Sequence, residues 1–413
     1  MKKMMLFIII FNLNNFASFC EFDLLNANNI TSYDINEEIN QLVENYPDFI
    51  ESEVLLDSVM GKEIKVIRIS NHIETFNKNS SYDSNKKNTF YIAGLHAREV
   101  VAPVSFLEII RNTLKKANEG DNETLEMLSH NVIHFIPLVN PDGFDLSKFG
   151  KSHEIFGENF NRDLKANNNG VDINNNFPDS FFDSYNNKWT SIKESAIKQS
   201  LHISKKPSVA FYWGTELQPE TKNIIDYMDR YYFEFFTDIH SQGNYIFWDS
   251  WFLSDQYRNE NFRLAKTIQT ISSKNDDSEV YRMEDYQSKI APHGYGYSTA
   301  YYASNFHNPT VTIETSTCRN MPYFSAEQYL DIIERFNDIF IELDKFESII
   351  YPYRVYRNNQ IYGDYNNENT AIAMAKKIDG VYKYEEGEIK EIKFNFFRII
   401  IKFYYKFILE LKH

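Results

Sequence analysis

Four short apolar runs, each ending in polar residues, set the narrowest limit on what this chain can fold into. They are TFYIAGLH (89–96), NVIHFIPLVNPDGF (131–144), EFFTDIHSQG (234–243) and PTVTIETS (309–316). Near-continuous apolar runs of this length read as strands buried on both faces. Between them lie stretches with helical spacing: a long helix from about Val100 to Ala117, then PETKNIIDYMDRY and NENFRLAKTIQTISS. Strands alternating with helices predict an α/β fold with a mixed, mostly parallel sheet covered by helices on both faces. Ligands of such sheets bind beyond the carboxyl ends of the strands. Those ends carry His96, Asn140-Pro141-Asp142, Asp238-Ile239-His240 and Glu314.

The remaining elements are expected as follows. YDINEEINQLVENYPDF forms an amphipathic helix stopped near Pro47, and two strands flank a turn at Gly61-Lys62. Asn71 to Asn88 is polar and reads as an exposed loop. Pro141-Asp142-Gly143 reads as a turn, Phe144 to Asp183 as long loop with short helices, and SAEQYLDIIERFNDIFIELDKF as one closing helix.

Two histidines and a glutamate at one sheet edge are not what a structural core needs. His96 and Glu99 are three residues apart, with Glu99 expected in the first turn of the following helix, and His240 joins them from a distant strand. A catalytic zinc takes three such ligands and leaves a fourth position open. Glu314 beside that ion would serve as general base. HxxE alone is a weak signal, and a rim carboxylate is the bland reading of Glu314.

The formal charge of −15 disfavours nucleic acid as a partner. Residues 1–20 have the basic start and short apolar run of a secretory signal peptide; a buried N-terminal helix is the alternative. Export predicts a secreted or cell-surface protein. Cleavage at Cys20 would leave Cys318 alone, so stability would rest on the core rather than on a disulfide. Residues 21–348 are expected to form the main domain and 349–392 a small α+β addition. In 393–413, Arg398, Lys402, Lys406 and Glu410 recur every four residues among apolar positions. As a helix this tail would carry one polar stripe, suited to a membrane surface or to docking on the protein.

Taken in order, YPDFIESEVLLDSVMGKEIKVIRI, GLHAREVVAP, VNPDGF, GVDINNNFPD, FTDIHSQG and TVTIETS resemble the zinc metallocarboxypeptidase family over roughly residues 30–345. That resemblance implies an eight-stranded mixed sheet and one Zn2+ per chain. It implies His96, Glu99 and His240 as ligands and Glu314 as base. Within the family, LKANNNGVDINNNFPD, HSQGNYIFW and PHGYG look most like the bacterial γ-D-glutamyl–diamino acid endopeptidases of peptidoglycan.

Asn174 matches the family position that binds a substrate carboxylate. Asn175 stands where true carboxypeptidases place an Arg, whose fork would clamp a C-terminal carboxylate. The peptidoglycan branch has an acidic residue there, so Asn175 departs from both patterns. Lys165, with Arg162 as its rival, sits near the residue that polarises the scissile carbonyl. Arg98 resembles a substrate-contacting Arg. Tyr301, with Tyr302 beside it, is the candidate for the family's Tyr proton donor, and His293 and Tyr295 for the pocket mouth. The 349–392 addition loosely resembles modules of cell-wall enzymes.

The expected function is a secreted zinc metallopeptidase acting on peptides or muropeptides, preferably at the γ-D-Glu–diamino acid bond of stem peptides. The alternatives are a carboxypeptidase on ordinary peptides and, in another class, a catalytically inactive peptide-binding protein of the same fold.

Overall fold

The computed structural model describes residues 24–71, 86–154, 157–158, 162–178, 182–183, 188–189, 216–231, 233–248, 255–273, 279–281, 297–306, 308–316, 321–346, 353–357, 360–365, 368–378 and 380–384. The expected signal peptide, both cysteines, His293, Tyr295, most of the expected 71–88 loop and the 393–413 tail lie outside them. Two compact units divide the chain, the larger ending at Ser348 and the smaller starting at Ile349.

The larger unit is built on eight strands: β1 (Ile50–Val54), β2 (Lys65–Ile69), β3 (Lys87–Ala93), β4 (Asn131–Ile136), β5 (Phe236–His240), β6 (Tyr245–Phe247), β7 (Glu279–Tyr281) and β8 (Thr310–Glu314). They join in the order β1-β2-β4-β3-β5-β8-β6-β7. Pairs β4/β3, β3/β5, β5/β8 and β6/β7 are parallel, and β1/β2, β2/β4 and β6/β8 antiparallel. The mixed, mostly parallel sheet expected from the sequence is present.

Strand alternation divides the core between the two faces. On one face Tyr91 meets Phe340, and Ala93, Phe135, Ile239 and Ile313 join one apolar cluster. Helices α1 (Ser32–Asn45), α2 (Val101–Asn118), α6 (Asp255–Ser272), α8 (Ala326–Phe336) and α9 (Ile339–Asp344) complete that cluster. On the other face Phe90 packs on Tyr227 of α5 (Pro219–Met228), and Phe236 on Tyr302 of α7 (Ser298–Phe306). Fully burying each such ring contributes about 1.5–3 kcal/mol.

Local chemistry sets the ends of the elements and corrects three expectations. Thr31 and Asp34 form a reciprocal capping box that starts α1. Asp121 caps α3 (Asn122–His130) by accepting from Thr124 N at 2.9 Å, a helix the sequence reading passed over. Pro141-Asp142-Gly143 is not a free turn. It opens α4 (Pro141–Phe149), where Asn140 Oδ1 accepts from Gly143 N at 2.9 Å and Pro141 fills a first-turn position.

The closing helix breaks into α8 and α9 at Asn337-Asp338. Asn112 and Lys116 of α2 hold those two side chains at 3.1 and 3.0 Å at the point where the helix stops. Lys87 and Asn88 begin β3 rather than ending a loop.

In the smaller unit β9 (Tyr353–Arg357) pairs antiparallel with β10 (Gln360–Tyr365) and β11 (Val381–Tyr384), alongside α10 (Glu368–Lys377). Val355, Ala371, Met374 and Ala375 are buried there. Among the described residues no helix is long and apolar enough to cross a membrane.

Candidate metal centre

The carboxyl ends of β3, β5 and β8 bring the predicted ligands together. After Ala93 the chain reverses at Gly94, which has φ 69°. A Cβ there would meet Leu138 Cδ1 at 2.8 Å, so only glycine fits without displacement. The reversal carries His96 over the sheet edge. The following turn is held by Ala97 N to Lys165 O (3.2 Å), Arg98 N to Leu164 O (2.9 Å) and Glu99 N to His96 O (3.1 Å). Glu99 therefore sits in this turn, just before α2 begins at Val101, and not within the helix. His240 ends β5, and its register partner Glu314 ends β8.

Buried His96, Glu99 and His240 form one group with ligand atoms within 4.8 Å of one another. Glu99 Oε1 is 2.7 Å from His96 Nδ1, and Oε2 is 2.7 Å from His240 Nδ1. The two Nδ1 atoms are 3.2 Å apart. A tetrahedral zinc with ligands at about 2.0–2.1 Å would set its donor atoms roughly 3.3 Å apart. The group fits such an ion after small outward shifts.

The opposite ring nitrogens explain why. His96 Nε2 faces Asp172 Oδ1 at 3.2 Å, and His240 Nε2 faces Asp238 Oδ2 at 3.0 Å. A cation taking the two Nδ1 lone pairs would leave the Nε2 protons facing Asp172 and Asp238. Two ring nitrogens and a carboxylate converge on one spot, an arrangement that a cation between them would suit.

The charges agree. Burial pushes the Glu99 carboxyl up, but the His96 and His240 imidazoles outweigh it and hold it well below the usual range. Burial lowers His240, yet Asp238 and Glu99 raise it well above an ordinary histidine. In the ion-free protein a proton supplies the positive charge that a metal would supply. Burial and the neighbouring Glu99 charge push Glu314 up to about 8. Its Oε2 is buried with no hydrogen-bond partner among the described residues, and Glu314 is the register partner of His240.

The other predicted residues divide. The charges of Lys165 and Arg98 both lower the Glu314 pKa, so both lie within electrostatic range of it. Arg98 is also paired with Asp163 at 2.6 Å. Asn174 Nδ2 lies 3.3 Å from His240 Nε2. Asn175 Nδ2 donates to Asp172 Oδ2 at 3.0 Å.

Arg162 Nη1 instead donates to the Lys148 carbonyl at 2.6 Å and to the Tyr323 hydroxyl. Tyr301 is the expected proton donor. It is buried on α7 against Phe177, and burial with Asp229 and Asp226 nearby raises its hydroxyl pKa further. Tyr302 is buried too, donating to Phe233 O at 2.8 Å.

The Asn-rich stretch after Lys165 is both scaffold and site. Asn167 accepts from Asn169 N and Val171 N and donates to Gln218 and Glu220. Asn176 Oδ1 accepts from Gln218 N and Thr221 Oγ1 at 2.8 Å each. These bonds fasten the loop to the start of α5, and the short helical turn Ile173–Asn175 presents Asn174 and Asn175.

Asp172, Asp238 and Ser298 were not singled out from the sequence. Asp238 had a usable signal, since it stands two residues before His240 and so shares its sheet face. Ser298 had none, because its contact depends on how α7 packs.

The zinc carboxypeptidase family matches residues 35–337. Human carboxypeptidase D is 31% identical over 144 residues, covering 35% of this chain and 9% of that protein. The catalytic chain of human carboxypeptidase N is 22% identical over 187 residues, covering 44% of this chain and 36% of its own length. The chain thus spans well under half the length of either relative. Bovine thrombin-activatable fibrinolysis inhibitor, solved with a tick carboxypeptidase inhibitor, superposes with a TM-score of 0.54 at 16% identity, over 76% of this chain and 95% of that one. Carboxypeptidase A from Helicoverpa armigera gives 0.53 at 18% identity, over 76% and 72%. These two share the fold. With the family matching residues 35–337, through both ends of the sheet and every ligand position, the chain belongs to the zinc carboxypeptidase family.

Proposed function

We propose that this chain is a zinc metallopeptidase in which His96, Glu99 and His240 hold the ion and Glu314 is the general base. The observation that carries this reading is the convergence of two Nδ1 atoms and one carboxylate beside Glu314. Zinc bound there supplies a Lewis acid that polarises the scissile carbonyl and acidifies water. Glu314 takes a proton from the attacking water and gives it to the leaving amine as the C–N bond breaks. The Lys165 ammonium stabilises the negative charge that develops on the carbonyl oxygen. Arg98 and Asn174 orient the substrate.

The preferred substrate is a peptidoglycan stem peptide cut at the γ-D-Glu–diamino acid bond, by a protein exported through residues 1–20. Asn175 supports this reading against C-terminal trimming. Its amide is neutral and already donates to Asp172, so it provides no guanidinium fork for a terminal carboxylate. Release of C-terminal residues from ordinary peptides is the second reading, favoured by the carboxypeptidase names of the relatives. The 393–413 tail is proposed as a membrane-surface contact. Digestion of purified muropeptides with mass analysis tests the substrate. Cleavage between D-Glu and the diamino acid is expected. Intact muropeptides together with single-residue release from L-peptides would overturn it in favour of the second reading.

A further inference from the structure

We propose that Ser298 is a positioning residue that fixes the carboxylate behind His240 and the substrate-side amide of Asn174 at once. The inference rests on the reading of His240 as a metal ligand and Asn174 as a substrate contact.

Ser298 is the first residue of α7 and is fully buried. Its Oγ donates to Asp238 Oδ2, the same oxygen that faces His240 Nε2 at 3.0 Å. Its backbone N–H donates to Asn174 Oδ1 at 3.1 Å. An N–H can only meet the oxygen of an amide, so this bond settles the Asn174 orientation and turns Nδ2 toward His240.

The two carboxylates behind the ligands are held very differently. Asp172 is fixed through both oxygens: Oδ1 accepts from Asn174 N at 3.1 Å and Oδ2 from Asn175 Nδ2 at 3.0 Å. Asp238 has no such redundancy. Its Oδ1 is buried with no hydrogen-bond partner among the described residues, so Oδ2 carries the whole attachment. The Ser298 hydroxyl is then what orients Asp238, and through it the His240 ring. Loss of one hydroxyl should act on His240 and leave His96 alone. A partner that orients a ligating histidine typically contributes about 10–100-fold in metal affinity.

The test is a double-mutant cycle on the full chain, read as zinc affinity by competition with a chromophoric chelator. Ser298→Ala is expected to weaken zinc binding about tenfold, and Asp238→Ala at least as much. In the Asp238→Ala background, Ser298→Ala should cost less than about twofold more, because the hydroxyl acts through that carboxylate. Additive losses, or a Ser298→Ala affinity within about twofold of wild type, would overturn the proposal. Asp238→Asn leaves α7 untouched and offers a second route; unchanged affinity there overturns it as well. His240→Ala separates the two levels of the argument. If that variant keeps wild-type affinity, the ligand assignment fails and takes this inference with it. If it loses zinc while Ser298→Ala does not, only the role of Ser298 is lost.

Discussion

Glu314 and His240 are register partners at the last residues of two adjacent parallel strands. The backbone ladder, closed by Thr315 N to His240 O at 2.9 Å, fixes their spacing independently of any side-chain contact. A base placed this way stays beside the metal group even when its own side chain is altered.

Glu314→Gln should therefore keep one zinc per chain and the wild-type fold. Hydrolysis should fall about 10²–10⁴-fold, the usual contribution of a positioned proton-transfer group. Metal analysis and steady-state kinetics on the same preparation check this. Activity within tenfold of wild type would assign the base elsewhere.

Zinc affinity should rise with pH. Asp238 and Glu99 hold His240 protonated well above the usual histidine range in the ion-free protein, and Glu314 titrates at about 8. A protonated Nδ1 cannot bind metal, so zinc must expel that proton. Below the raised pKa values, apparent affinity should climb about tenfold per pH unit for each proton displaced. Chelator competition at several pH values between 6 and 8 measures the slope, and a flat profile would contradict the assignment.

Asn175→Arg supplies the missing guanidinium. It should raise kcat/KM about tenfold or more on simple L-peptides with a free C-terminus, mostly by lowering KM. Loss of the Asn175 bond to Asp172 should weaken zinc binding modestly in the same variant. Unchanged KM on such peptides would remove position 175 from the specificity argument.

Tyr301→Phe should leave kcat and KM within about twofold of wild type. The ring is buried on α7 and packs on Phe177. A hundredfold fall in kcat with a normal fold would restore it as a proton donor.

Strands and ligands were legible because each left a local trace. Buried strands read as apolar runs, and His96, Glu99, His240 and Glu314 interrupt them at their carboxyl ends. The supports of the site were less legible because they are made by tertiary contact. Asp172 lies in a loop whose shape comes from Asn167 and Asn176 bonding to α5. Ser298 reaches Asp238 across 60 residues of sequence. The break between α8 and α9 likewise lies where Asn112 and Lys116 of a different helix meet Asn337 and Asp338. The burial of Tyr301 was not legible either, because its local sequence, GYSTAYYAS, shows a helix with two adjacent tyrosines but not which way either one faces.

Anomalous diffraction from zinc-soaked crystals of the purified chain, collected on both sides of the zinc edge, tests the centre most directly. The account predicts a single strong peak about 2.0–2.1 Å from the Nδ1 atoms of His96 and His240, with Glu99 completing the protein ligands. A peak elsewhere on the molecule with none between those two rings would contradict it.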